Sequence, residues 1–335
     1  MLQDLTQHSL IDLSRKDDGS RDTAAFAHDV ATGLSLAQKK LPSRYFYDAK
    51  GSRLFQQIME LPEYYLTRAE FEVLNTHRQA MASHFAAEGF FHLVDLGAGD
   101  ALKTKLLLRE LTQRSKDFDY IPIDISGDAM VQLTGSLQEE IPGLQVQAVV
   151  GEYIQALEWL HHHKTGPKVV LFLGSNIGNF EPEEGIVFLQ RIRQCLDPGD
   201  KLLLGVDLRK NPDTILKAYD DAAGITAAFN LNLLHRINRE LGGDFKVDQF
   251  RHFALYDPQA GAMKSYLVSE EAQEVYLKSS GERYKFEAWE AIHTENSHKF
   301  TLNQVEEMAL LCGFKVDTVY QDKNEYFADI VLDAS

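Results

Sequence analysis

Between Phe91 and Asp207 the chain repeatedly alternates apolar runs with amphipathic stretches, and no other feature constrains its fold as much. The apolar runs, each of strand length, are Phe91–Leu96, Phe118–Asp124, Leu144–Val150, Val169–Leu173 and Lys201–Asp207. Between them, Ala101–Gln113, Ser126–Glu139, Ile154–His163 and Glu183–Cys195 carry apolar residues at helical spacing. Strands that are apolar throughout and separated by helices predict a parallel, doubly wound sheet covered on both faces.

The first run leads into Gly97-Ala98-Gly99-Asp100, a turn where the backbone can approach a ligand closely. Strand, Gly-x-Gly turn and helix together resemble the start of a Rossmann-like nucleotide site. Upstream, Asp22–Leu36 has helical spacing and Leu41–Asp48 is rich in aromatics. Thr67 with Glu70 reads as a capping box opening a helix toward His84. Met1 to about Arg21 is polar and reads as partly loose. Downstream, Asp213–Leu241 is helical with a break at Gly224. Phe253–Tyr256, Ser265–Ser269, Val275–Leu277 and Glu287–His293 read as antiparallel strands. Thr301–Cys312 is a last helix before two strands, Val316–Gln321 and Glu325–Leu332. The expected organisation is a core of residues 62–206 and 301–335, a substrate-binding α+β insertion of 22–61 and 207–300, and an N-terminal segment, 1–21.

A net charge of −16 without a basic patch repels phosphate backbones, which argues against nucleic acid as a partner. Cys195 and Cys312 lie in apolar, helix-like contexts and read as core thiols. No apolar run reaches membrane-spanning length and no hydrophobic signal core stands at the N-terminus, so a cytoplasmic monomer is expected.

Three constellations carry chemistry. Around the Gly97–Gly99 turn, Asp124 ends the second strand where an acid can accept from ribose hydroxyls. Glu152-Tyr153 follows the third strand, where an acid and a ring suit an adenine. Lys103 can reach a carboxylate. The position of a third, pyrophosphate-binding glycine is Leu102, which favours S-adenosylmethionine (SAM) over NAD. The second constellation is Gly174-Ser175-Asn176-Ile177-Gly178-Asn179, past the fourth strand, where Asn179 suits an amine or carboxylate. In the third, Thr294–Phe300, an extended backbone turns Glu295 and Ser297 to one face, able to grip a ring bearing N–H groups. Each set also reads as ordinary turn or solvated loop. His161-His162-His163 reads as a solvated helix end rather than a metal site, because consecutive residues share no helix face. No metal-ligand spacing such as H-E-x-x-H and no Gly-x-Ser-x-Gly elbow occurs.

Taken in order, several motifs resemble the histidine-specific, SAM-dependent Nα-methyltransferase family of ergothioneine biosynthesis. They are Tyr45-Phe46-Tyr47-Asp48-x-x-Gly51-Ser52-x-Leu54-Phe55, Leu61-Pro62-Glu63-Tyr64-Tyr65-x-Thr67-Arg68, the Gly97 turn, Gly174–Phe180, Ala218-Tyr219-Asp220-Asp221-x-x-Gly224-x-Thr226-x-x-Phe229-Asn230 and Thr294-Glu295-x-Ser297-x-Lys299-Phe300. The terminal hairpin likewise resembles the ending of class I methyltransferases. The resemblance implies three methyl transfers from SAM to the α-amino group of L-histidine, giving hercynine. It implies that Gly97, Gly99, Lys103, Asp124, Glu152 and Tyr153 hold SAM. Tyr64, Gly174, Asn179, Tyr219, Glu295 and Ser297 hold histidine, with Tyr47 and Phe55 lining the pocket. Asn179 positions the amine, Tyr219 the carboxylate, and Glu295 with Ser297 the imidazole. No metal is implied. The chain departs from the family pattern at Glu152-Tyr153 (usually Asp-Phe), Leu66 (usually Pro) and Ser265 (usually Met). The smaller, polar Ser265 leaves open a related N-methyltransferase of another amino acid or amine. A dehydrogenase and an inactive binding protein are the readings from other classes.

Overall fold

The computed structural model describes residues 8–13, 20–85 and 89–335. Its strands are β1 (His8–Asp12), β2 (Phe91–Leu96), β3 (Phe118–Asp124), β4 (Val146–Val150), β5 (Lys168–Phe172), β6 (Lys201–Asp207), β7 (Phe250–Asp257), β8 (Ala262–Ser269), β9 (Gln273–Leu277), β10 (Glu282–Phe286), β11 (Ala291–His298), β12 (Lys315–Gln321) and β13 (Phe327–Asp333). The chain divides into two compact units. One holds Leu66–Leu208, Phe300–Ser335 and the described part of Met1–Lys16. The other holds Arg209–Lys299 and the described part of Asp17–Tyr65.

The first unit is an α/β Rossmann-like core. Its sheet runs β1-β4-β3-β2-β5-β6-β13-β12. The strands are parallel from β1 through β6, and the β12/β13 hairpin closes the sheet antiparallel to β6. Successive residues of the apolar strands enter opposite layers, as a period of two requires. Leu93, Tyr120, Val169 and Leu203 pack with Leu107 and Leu133 of two helices on one face. Val94, Ile121, Val170 and Leu204 pack with Leu157, Leu189 and Ala309 on the other. Chain order reverses where β2 lies between β3 and β5, so the loops after β2, β3, β4 and β5 converge at a topological switch point.

Of the segment Met1–Arg21, read as partly loose, His8–Asp12 is an edge strand parallel to β4, with Ile11 opposite Val149; residues 1–7 and 14–19 lie outside the described residues. Thr67 does not cap a helix. The helix runs Tyr65–Phe85 with Thr67 inside it, and Glu70 bonds elsewhere.

The second unit is α+β. A three-stranded antiparallel sheet, β11-β8-β7, and the β9/β10 hairpin accompany helices Ser20–Ser35, Ala49–Glu60, Pro212–Tyr219 and Ile225–Leu241. The helical stretch from 213 breaks at Asp220–Gly224, where Asp221 accepts from the Ile225 and Thr226 N–H groups. The expected strand Glu287–His293 is displaced. Glu287–Glu290 is a connection containing Trp289 at φ 69°, and the strand begins at Ala291. The Asp48-x-x-Gly51 motif is structural. Asp48 caps its helix through Gly51 N (2.7 Å) and receives Asn232 Nδ2 (2.8 Å) and Arg239 (2.6 Å). A Cβ on Gly51 would lie 1.7 Å from the Phe46 carbonyl oxygen, so no other residue fits.

Candidate functional site

In the first unit the candidate donor residues gather at the ends of β2, β3 and β4. Gly97 has φ +74°, and a Cβ there would lie 2.7 Å from Tyr153 Oη. Gly99 N donates to Asp124 Oδ2 (3.2 Å) while Ser126 N donates to Oδ1 (2.9 Å), so the carboxylate is anchored with lone pairs to spare. Tyr153 is half-buried, its ring edge-on to Phe172 (5.8 Å) and Phe188 (6.2 Å). Burial, then the charge of Asp124, hold its phenol well above the ordinary range. Glu152 is exposed at the N-cap of the following helix. Ile125, 63% exposed, offers apolar surface beside Asp124.

Lys103 does not sit within a helix: the helix starts at Thr104. Its carboxylate partner is Glu70, which is buried and also accepts from Gly174 N (2.6 Å). Asp329, fully buried, has carboxyl oxygens without a hydrogen-bond partner among the described residues. Burial, and then the charge of Glu70, hold it well above the usual carboxylate range, against the pull of Lys103. Glu70 therefore ties three parts of this unit together. Glu70→Ala is expected to cost about 3 kcal/mol, the low end for breaking a buried ion pair because solvent reaches Lys103. Urea unfolding of the two proteins checks it; an unchanged midpoint would show that the pair holds nothing.

Beneath the glycine turn, Asp95 receives Thr104 Oγ1 (2.7 Å) and Tyr120 Oη (2.8 Å). Burial pushes its carboxyl up to about 6, although both hydroxyls pull it down. Past β5, Gly174 (φ +77°) and Ser175 (φ +58°) are both left-handed, and Ser175 Oγ accepts from Asp207 N (2.9 Å). A short 3-10 turn, Asn176–Asn179, follows and leaves Asn179 half-buried.

In the second unit the candidate acceptor residues form a continuous set. Tyr47 meets Phe55 (5.5 Å), Phe55 meets Tyr64 (6.3 Å) and Tyr64 meets Tyr219 (6.2 Å), all edge-on. Phe229 packs against Tyr47 and Phe55. Tyr219 Oη lies 2.8 Å from Ser297 Oγ. Glu295 and Ser297 stand on β11 opposite Ser265 and Met263, so they share a face. Solvent still reaches Glu295, yet burial pushes its carboxyl up to about 7, against the pull of Lys299.

Residues 26–334 match the family described as histidine-specific methyltransferase, SAM-dependent. The chain belongs to this family. It is 41% identical to a histidine N-alpha-methyltransferase of Mycolicibacterium smegmatis, over 83% of this chain and 86% of that one. It is 33% identical to ergothioneine biosynthesis protein 1 of Neurospora crassa, over 67% of this chain and 27% of that one. An L-tryptophan methyltransferase of Psilocybe serbica is 26% identical, with 89% of each chain covered. Membership makes the chain a SAM-dependent methyltransferase.

Sequence reasoning placed none of Asp95, Glu70, Asp329, Phe229 and Lys299 at the site. Asp95 had a visible signal, an acid inside an otherwise apolar strand. Glu70 had a misleading one, since its spacing from Thr67 imitates a cap. Among the described residues, no cluster of histidine, cysteine and acidic side chains could hold a metal ion. His161, His162 and His163 are all exposed, and both cysteines are buried and free. No described helix is long and apolar enough to cross a membrane.

Proposed function

We propose that this enzyme methylates the α-amino group of L-histidine three times, giving the trimethyl betaine hercynine. The observation that carries the reading is the pairing, on one face of β11, of the recessed Glu295 carboxyl with the buried Ser297 hydroxyl. An imidazole offers an N–H to the first and a lone pair to the second. The relatives named for histidine Nα-methylation support the same reading.

The donor residues fit an adenosyl group. Asp124 keeps acceptor capacity for ribose hydroxyls, Ile125 offers apolar surface for a base, and nothing lies within 4 Å of a Cβ built on Gly99. Gly97, Gly99, Lys103, Asp124, Glu152 and Tyr153 would hold it. When bound, SAM supplies a methyl already activated by its sulfonium charge. The chain's own work is then alignment and exclusion of water. Asn179 and Gly174 serve the amine, Tyr219 the carboxylate, and Glu295 with Ser297 the ring. Tyr47, Phe55 and Tyr64 supply apolar walls. The ammonium loses its proton before attack; no side chain is assigned as a dedicated base, and Asn179 orients the lone pair.

Asn179→Ala is expected to lower kcat/KM for L-histidine by about tenfold, the loss of one hydrogen bond, with the Kd for S-adenosylhomocysteine unchanged. Normal kcat/KM in this variant would remove Asn179 from the site.

A second reading, methylation of another amino acid, has one observation in its favour. Ser265, 2% exposed, stands directly opposite Glu295 in the β8/β11 register. Methyl transfer to a panel of amino acids, followed by mass spectrometry, separates the two.

A further inference from the structure

Glu295 and Ser297 face inward on β11 because that strand breaks its register. Its partner β8 alternates strictly: Met263, Ser265 and Leu267 are buried, and Lys264, Tyr266 and Val268 between them are half-buried. Ile292 lies opposite Leu267 and His293 opposite Tyr266. The next residue of β8, Ser265, stands opposite Glu295 rather than Thr294, so β11 holds one residue too many at Thr294. This is a β-bulge. The outer face agrees. His293 Nε2 lies 3.1 Å from Asn296 Oδ1, three residues on, whereas an unbroken strand brings together residues two apart. Continued from Ile292 without the bulge, the pleat would turn Thr294 and Asn296 inward. Glu295 and Ser297 would then point outward beside His293.

Side chains hold the bulge. Thr294 is 2% exposed, and its Oγ1 lies 2.9 Å from Asn230 Oδ1 and 3.0 Å from the Ser265 carbonyl oxygen. Its one hydrogen is shared between them as a three-centre bond. Asn230, on helix Ile225–Leu241, is buried as well. Its Nδ2 donates to Thr226 O, one turn earlier (3.1 Å), which leaves Oδ1 toward Thr294. Neither Thr294 nor Asn230 serves the ligand in the reading above. We propose that they are positioning residues: by pinning the bulge in β11 they turn Glu295 and Ser297 to the face that receives the ring. The inference rests on the histidine reading and deepens it. The extra residue of a bulge is unpaired in the ladder, so its side chain decides where along the strand it stays. Without the hydroxyl clamp the bulge can move, and each residue it passes changes face.

The test is a double-mutant cycle on kcat/KM for L-histidine, joining Thr294→Val with Glu295→Ala. Valine keeps the branched shape and loses the hydroxyl. Alone, Thr294→Val is expected to lower kcat/KM about tenfold, chiefly by raising KM, because the grip on the ring serves ground state and transition state alike. In the Glu295→Ala background the same change is expected to cost about threefold or less, what remains acting through Ser297. Thr294→Ser keeps the hydroxyl and is expected to stay within about threefold of wild type. A merely structural threonine would cost the same in both backgrounds, and that result overturns the proposal; so does a serine as poor as the valine. If Thr294→Val loses the wild-type circular dichroism spectrum, Asn230→Ala carries the same cycle, and an equal cost in both backgrounds there is equally fatal. A wild type inactive on histidine refutes the histidine reading and this inference together. An active wild type with an additive cycle refutes this inference alone.

Discussion

Gly97→Ala is expected to weaken S-adenosylhomocysteine binding by about 100-fold while the chain stays folded. Two effects add. At φ +74° an alanine carries about 1–2 kcal/mol of left-handed strain. Its Cβ would also lie 2.7 Å from Tyr153 Oη. Phe172 and Phe188 confine the tyrosine ring, so relief must come from the turn itself, which moves Gly99 N away from Asp124. The strain is small beside a domain stability of about 5–15 kcal/mol, so circular dichroism should report a folded protein. Calorimetric titration gives the Kd; a value within twofold of wild type would mean that this turn does not hold the donor.

Glu295→Ala is expected to lower kcat/KM for L-histidine by about 100-fold, the upper range for a charge-assisted hydrogen bond, and to leave S-adenosylhomocysteine binding intact. Glu295→Gln isolates the charge. With the carboxyl at about 7, its ionised fraction rises through neutral pH. The ratio of wild-type to Glu295→Gln kcat/KM should therefore climb as pH rises to about 7 and level off above it. The substrate's own titrations cancel in that ratio. Stability must run the other way. The folded-state value lies above the unfolded value of about 4.3, so the folded state holds the proton more tightly. Wild-type stability then falls, relative to Glu295→Gln, as pH rises from about 4.3 to 7. A ratio flat with pH would place Glu295 away from the ring.

The parallel strands were legible because they are buried on both faces and so read as unbroken apolar runs. Phe91–Leu96, Phe118–Asp124 and Lys201–Asp207 stand at the bounds their sequence suggests. The edge strand β1 was not legible. It pairs on one side only, and Leu10 is 49% exposed, so no apolar run marks it. Glu70 shows how a local rule loses to a tertiary one. A capping spacing is cheap to imitate, and the lysine and backbone N–H that claim the side chain come from 33 and 104 residues away.

The candidate sites divide in the same way. The glycine turn, Asp124 and Tyr153 are local to strand ends and visible as such, and the structure brings them together. The aromatic chain from Tyr47 to Tyr219 joins residues far apart in sequence, so only the family motifs could suggest it. Lys299 stood inside a quoted motif without a role. A lysine at a strand end reads as solvated, yet Lys299 is buried against Tyr219 and Ser297. Asp329, an acid inside the apolar run Phe327–Leu332, carried the same signal as Asp95 and was missed as well.

The central claim is tested most directly by incubating the enzyme with SAM and either L-histidine or L-tryptophan, and weighing the products by mass spectrometry. The histidine reading predicts that histidine gains three methyl groups on its α-nitrogen and that tryptophan gains none. Three methyls on tryptophan, with histidine unchanged, would contradict it.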